Sequence, residues 1–238
     1  ADAIWPNRPT PLCNPIYPLG EEFTGKGTAQ KLEELRTAMS EAKTDALVLT
    51  LLDEIAWLAN LRGSDVAYNP VFEAYAVITA AETICFCHHP ESGLQDARPE
   101  WEFRPYADYL GFLKELAQRE SIRVWLDPSG TTMGTRQAFS DEQVHEAQNP
   151  VVLAKALKNS VELECSRIAH HRAGSALVRS FVKLRRALDS GTSVSERQYS
   201  DWLREEYSRE EGFADLSFTT IAGTGANGAI VHYGTPSP

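Results

Sequence analysis

Between about residues 28 and 150, short apolar runs alternate with stretches of helical periodicity. This alternation constrains the fold more than any other feature of the 238-residue chain. Leu32, Leu35 and Met39 share one helical face after Gly27, with Thr28 as the expected cap. Residues 45–50 read as a buried strand. A short helix is predicted over about residues 53–61, with Ile55, Leu58 and Leu61 inward and Gly63 placed to stop it. Residues 74–79 and 83–88, rich in β-branched and aromatic side chains around a short turn, predict a hairpin. Tyr109, Leu110, Leu113 and Leu116 mark a further amphipathic helix, and residues 122–126 a further strand. Such alternation implies an α/β domain, a sheet covered by helices.

The texture changes near Asn159. A long helix is predicted from Ser160 to about Leu188, with Ile168, Leu177, Phe181, Leu184 and Leu188 on its inner face and Gly191 after its end. Ser193 and Glu196 have capping-box spacing for a second helix running to about Arg209. From Phe213 the chain takes on strand character. Three divisions follow: a proline-rich strap over residues 1–27 (Pro6, Pro9, Pro11, Pro15, Pro18), a domain over 28–158, and the start of an α+β domain over 159–238. The last division ends in a glycine-punctuated loop, residues 223–228, leading into an expected strand over 229–233 that carries His232. One strand cannot bury its faces alone. The chain is therefore expected to be a piece of something larger, and the absence of an opening Met favours a processed or excised start.

A net charge of −10 argues against a nucleic-acid backbone or an anionic membrane as partner. No apolar run approaches the ~18 residues that cross a bilayer. Cys13, Cys85, Cys87 and Cys165 are too few and too scattered for a disulfide framework, which favours a reduced, cytoplasmic compartment.

Several constellations invite a chemical reading. Cys85, Cys87, His88 and His89 look like a metal site, but zinc sites separate paired cysteines by about two to four residues and need a second pair. On a strand, Cys85 and Cys87 share a face and pack as small apolar residues. His170 and His171 point about 100° apart on a helix and cannot easily share an ion. Gly223, Gly225 and Gly228 lack both the following helix of a dinucleotide loop and the Gly-Lys-Ser/Thr ending of a P-loop, so a tight turn near a ligand fits better. Asp53 and Glu54 diverge as helix neighbours and read as structural; Arg62 complements the helix dipole, with Asp65 as its expected partner. His232 alone is an ordinary strand histidine, sharing a face with Ile230.

The order of motifs adds a context. Residues 53–58, 60–65 and 69–72 (Asp-Glu-Ile-Ala-Trp-Leu, Asn-Leu-Arg-Gly-Ser-Asp, Asn-Pro-Val-Phe) resemble the middle domain of the long, three-domain Xaa-Pro aminopeptidases. Asp2, Ala3, Ile4 and Trp5 with Arg8 and Pro9 are similar to the linker before that domain. Residues 155–160 with Glu162 and Glu164 are similar to its junction with the catalytic domain. Residues 215–218 and 225–233 resemble the start of the pita-bread catalytic fold.

The resemblance implies a creatinase-like α/β domain, a mixed sheet flanked by helices, followed by the first part of an α+β pita-bread domain. It implies release of the N-terminal residue from peptides with proline second, two manganese ions bridged by hydroxide, and a cytoplasmic homodimer. His232 falls on the family's substrate-binding and catalytic histidine. The metal ligands (two Asp, one His, two Glu) are expected beyond Pro238, so this chain holds none and needs the remainder of the catalytic domain to act. The rival readings are a non-catalytic pita-bread homologue that binds a protein or peptide, and a prolidase-type dipeptidase.

Overall fold

The structure, a computed structural model, describes residues 4–5, 7–9, 12–90 and 93–234 and divides into two units, Ala1–Glu162 and Leu163–Pro238. The first contains β1 (Tyr17–Pro18), α1 (Glu21–Thr24), α2 (Thr28–Glu41), β2 (Ala46–Leu49), α3 (Leu52–Leu58), β3 (Leu61–Arg62), β4 (Ala74–Thr79) and β5 (Thr83–Cys87). It continues with α4 (Leu94–Ala97), β6 (Glu102–Pro105), α5 (Tyr109–Ala117), β7 (Val124–Leu126), α6 (Met133–Arg136), β8 (Val144–Glu146) and α7 (Pro150–Ala156). The last two helices are α8 (Ser160–Asp189), which begins at the end of the first unit, and α9 (Glu196–Ser208).

Six strands form one mixed sheet in the order β6-β5-β4-β2-β7-β8. The β4–β5 hairpin is antiparallel, with Val77 opposite Ile84, while β2 and β7 run parallel, with Ala46 opposite Val124. Every residue of β2 is buried, as a central strand covered on both faces requires. Its alternate side chains feed two cores. Leu47 and Leu49 join Leu32, Leu35 and Met39 of α2 and Ile55 and Leu58 of α3; Ala46 and Val48 join Tyr109, Phe112, Leu113 and Leu116 of α5. Each large apolar side chain so enclosed contributes about 1.5–3 kcal/mol.

The sheet, the hairpin and the covering helices match the sequence expectation, and several details correct it. Gly27, not Thr28, caps α2; Thr28 is the first helical residue, and its hydroxyl donates to Glu100 Oε2 at 2.9 Å. The α3 helix ends at Leu58, where Asn60 takes φ 49°, and Leu61 belongs to β3. Asp65 accepts from the backbone N–H groups of Asn14 and Glu73, whereas Arg62 donates to the carbonyls of Ala56 and Leu61. On α5 the buried position is Phe112, and Leu110 is half exposed. The strap is not wholly irregular: β1 pairs antiparallel with β3, and Arg98 donates to the carbonyls of Leu19, Ala59 and Asn60. The strap residues Asp2, Ala3, Pro6 and Pro11 lie outside the described residues.

The second unit holds α8 from Leu163 onward, α9 and a C-terminal run. Arg179 donates to Glu206 Oε2 at 2.8 Å, Arg209 to Glu206 Oε1 at 2.6 Å, and Lys183 to Glu205 at 3.2 Å. The hydrogen bond from Arg179, with the neighbouring cations, holds the Glu206 carboxyl below its ordinary value. Ala176 and Ser180 are the buried residues of α8, whereas Ile168, Phe181 and Leu188, expected inward, are exposed. No strand occurs among the described residues after Phe213. Residues 225–229 form one 3₁₀ turn, and Ile230–Gly234 have no ladder. One strand is not stable by itself, and none of the described residues pairs with this segment.

Candidate active site

The site begins at the first turn of α9. Ser195, not Ser193, is the cap, its hydroxyl accepting from Gln198 N at 3.1 Å. This frees the adjacent Glu196 carboxylate from the local capping role that Ser193–Glu196 spacing predicts. It bonds instead to the C-terminal run. Thr224 N donates to Oε1 at 2.5 Å, and Asn227 Nδ2 and the Tyr233 hydroxyl donate to Oε2 at 3.0 and 2.6 Å. Asn227 Nδ2 also donates to Tyr233 Oη at 3.1 Å, closing the cluster. The Tyr233 hydroxyl, then Thr224 N–H and Asn227, hold the Glu196 carboxyl below the usual carboxylate range, and Glu196 raises the Tyr233 phenol.

The glycines let this run fold tightly. Gly225 takes φ 55°, a conformation that glycine adopts without penalty. A Cβ on Gly223 would stand 3.3 Å from the backbone oxygen of Asn227. Local hydrogen bonds from Asn227 N to Thr224 O and from Ile230 N to Asn227 O complete the 3₁₀ turn.

His232 lies in the turn that follows, exposed, with φ 55°. Left-handed backbone is uncommon outside glycine and often marks functional positions. The turn presents the imidazole to solvent next to a tyrosine fixed by Glu196. What sequence reading missed was Glu196. The available signal was a carboxylate in a first helical turn upstream of a glycine-rich run full of N–H donors.

The other candidates resolve differently. Cys85 and Cys87 are fully buried in β5, and the hydrogen bond between the two thiols, then burial, pushes the Cys85 thiol up. His88 Nε2 is 3.3 Å from Glu73 Oε2 and its ring stacks on Tyr106, while His89 donates to the carbonyl of Cys13. His170 Nδ1 donates to Ser166 O at 2.7 Å within α8. Asp53 and Glu54 diverge as expected: Asp53 accepts from Lys155, whereas Glu54 is buried and accepts from Asn149 Nδ2. A cavity of about 600 Å³ in the second unit is lined by Leu203, Phe213, Leu216 and Phe218, among others, and His232 does not line it.

Among the described residues no group of three or more His, Cys, Asp or Glu converges to hold a metal ion. The described residues therefore do not by themselves supply the ligands of a two-metal centre. No helix among the described residues is long and apolar enough to cross a membrane.

Comparison with known proteins places these features in a family. Residues 7–162 match the Creatinase/Prolidase N-terminal domain, and residues 164–238 match metallopeptidase family M24. The chain is 38% identical over its whole length to a probable Xaa-Pro aminopeptidase P of Coprinopsis cinerea, of which it covers 41%. It is likewise 38% identical to that of Laccaria bicolor, again over its whole length, covering 38% of the relative. The chain thus spans about two fifths of the length of these curated relatives. The solved X-prolyl aminopeptidase of Caenorhabditis elegans, described as a cytosolic enzyme with a di-nuclear active site, superposes over 92% of this chain and 37% of its own, with a TM-score of 0.86 and 30% identity. With its mixed sheet, covering helices and partial pita-bread segment, the chain belongs to the creatinase/prolidase family of M24 metallopeptidases.

Proposed function

We propose that the protein to which this chain belongs is a metal-dependent aminopeptidase that releases the N-terminal residue from peptides with proline in second position. His232 is the residue of this chain that binds the substrate and steadies its tetrahedral state. The observation that carries this reading is the tethered run 224–233: it presents an exposed histidine from a strained turn, in a chain 38% identical to probable Xaa-Pro aminopeptidases.

The bond to be cut is a tertiary amide without an N–H, so recognition must act on the carbonyl oxygen and the flanking groups. An imidazole N–H aimed at that oxygen gains strength as negative charge develops there. The proposal assigns the metal chemistry to two manganese ions on two Asp, one His and two Glu of the remaining catalytic domain, beyond Pro238. It also includes a homodimer and a cytoplasmic location. The −10 charge fits neither nucleic-acid nor membrane binding.

In the complete, metal-loaded protein, His232→Ala is expected to lower kcat/KM on an Xaa-Pro peptide about 10²–10³-fold. The thermal midpoint should be unchanged, because the side chain is exposed. A loss below about threefold, small against that range, would remove His232 from the mechanism.

A further inference from the structure

We propose that Glu196 is a positioning residue that holds the run carrying His232 in its working conformation, an inference that rests on the reading of His232 given above. A glutamate in the first turn of a helix needs no distant partner, since the helix dipole and water already favour it. Here the carboxylate reaches three donors that lie 28, 31 and 37 residues downstream. These donors come from both ends and the middle of the run. Thr224 stands before the 3₁₀ turn, Asn227 within it, and Tyr233 immediately after His232.

The geometry explains why one residue can set the loop. Inside the run, the backbone hydrogen bonds of Asn227 and Ile230 span three residues each and fix only the local turn. The long-range bonds to Glu196 place that turn against the start of α9. The Tyr233 phenol, 2.6 Å from Oε2, anchors the neighbour of His232, so the left-handed turn at His232 directs its ring from a fixed base. A charged acceptor makes each of these bonds stronger than a neutral one. The lowered Glu196 carboxyl and raised Tyr233 phenol agree with an ionised acceptor facing a neutral hydroxyl.

The test compares Glu196→Ala, Glu196→Gln, Tyr233→Phe and His232→Ala with the double variant Glu196→Ala/His232→Ala in the complete, metal-loaded protein. Glu196→Ala is expected to lower kcat/KM about 10- to 100-fold, the scale of a misplaced catalytic group. Glu196→Gln, which keeps one acceptor oxygen, should recover part of the loss, and Tyr233→Phe should show a smaller loss. With His232 already removed, Glu196→Ala should cost less than about twofold, because coupled residues fail to add. An equal cost in both backgrounds overturns the proposal, as does full activity in Glu196→Ala.

Two readouts do not depend on turnover. Glu196→Ala should speed amide hydrogen exchange at residues 224–233 and bring the Tyr233 phenol titration, read by absorbance against Tyr233→Phe, toward its ordinary value. Unchanged exchange and titration overturn the tether whatever His232 does. If His232→Ala is fully active while exchange and titration respond to Glu196→Ala, the catalytic reading of His232 fails and the tether stands as a structural bond, which overturns the positioning role.

Discussion

Asn149 Nδ2 stands 3.2 Å from both Glu54 Oε2 and Asp127 Oδ2, so one side-chain amide serves two buried carboxyl groups. The two groups answer their surroundings in opposite ways. Burial pushes Glu54 up to about 7, and the hydrogen bond from Asn149 only partly offsets it. Burial also acts upward on Asp127, but hydrogen bonds from Ser129 and Asn149 outweigh it and leave that carboxyl below its ordinary value.

A pH dependence of stability follows from Glu54. Below its ordinary value of 4.5 the group is protonated in both the folded and the unfolded chain, and its contribution is fully present. From 4.5 to about 7 the unfolded chain ionises first, binds fewer protons than the native state, and stability falls as pH rises. The full loss is roughly 3 kcal/mol. Asp127 acts in the opposite sense but only at more acid pH, so it leaves this window untouched. Urea denaturation at pH 5 and pH 8 should show the decline, and Glu54→Gln should flatten it and be more stable than the parent at pH 8. A parent whose stability is level across that range would contradict the buried, protonated glutamic acid.

Lys31 gives a second test. Its ammonium, 3% exposed as a residue, donates to Asn60 Oδ1 at 2.6 Å and to Trp57 O at 2.7 Å and lies 3.8 Å from the Trp57 ring centre. Lys31→Met keeps much of the volume but strands both acceptors, an expected cost of about 1–3 kcal/mol. The bond from Trp57 Nε1 to Glu162 should loosen with it, because the same tryptophan serves both. Tryptophan fluorescence and chemical denaturation read the two effects. A variant as stable as the parent would show that water replaces the ammonium.

Gly63 is constrained by close approach, not by its own φ. A Cβ there would stand 2.7 Å from Phe72 Cβ and 3.1 Å from Val71 O, and Phe72 is fully buried. Gly63→Ala should therefore displace the 71–72 segment and destabilise the first unit by about 1–3 kcal/mol. Differential scanning calorimetry measures the shift. No change in midpoint would mean that the segment yields freely.

Much of the first unit could be read from the chain because its signals are local. The nearly continuous apolar runs of residues 46–49, 74–79 and 83–87 report strands covered on both faces, a pattern visible without knowing the distant partners. The helical phase is ambiguous where two apolar positions compete. Leu110 and Phe112 both suit α5, and only the sheet behind it selects Phe112. Thr28 suits a cap by its hydroxyl alone, yet Glu100, 72 residues away, accepts that hydroxyl. Residues 229–233 look like a strand by composition, but a strand is made by its neighbours. In the candidate site the motif directs attention to His232, whose role is a proposal, whereas capping-box spacing points Glu196 to a local cap. A carboxylate's choice between a nearby N–H and a loop some thirty residues on is decided by tertiary geometry, which spacing does not encode.

The most direct test of the proposed activity is steady-state hydrolysis of two tripeptides differing only in proline or alanine at the second position. The complete protein would be assayed before and after metal chelation and again after manganese is restored. Cleavage of the Xaa-Pro bond alone, abolished by chelation and recovered with manganese, is expected. Equal cleavage of both peptides, or activity that survives complete metal removal, would contradict a metal-dependent, proline-selective aminopeptidase.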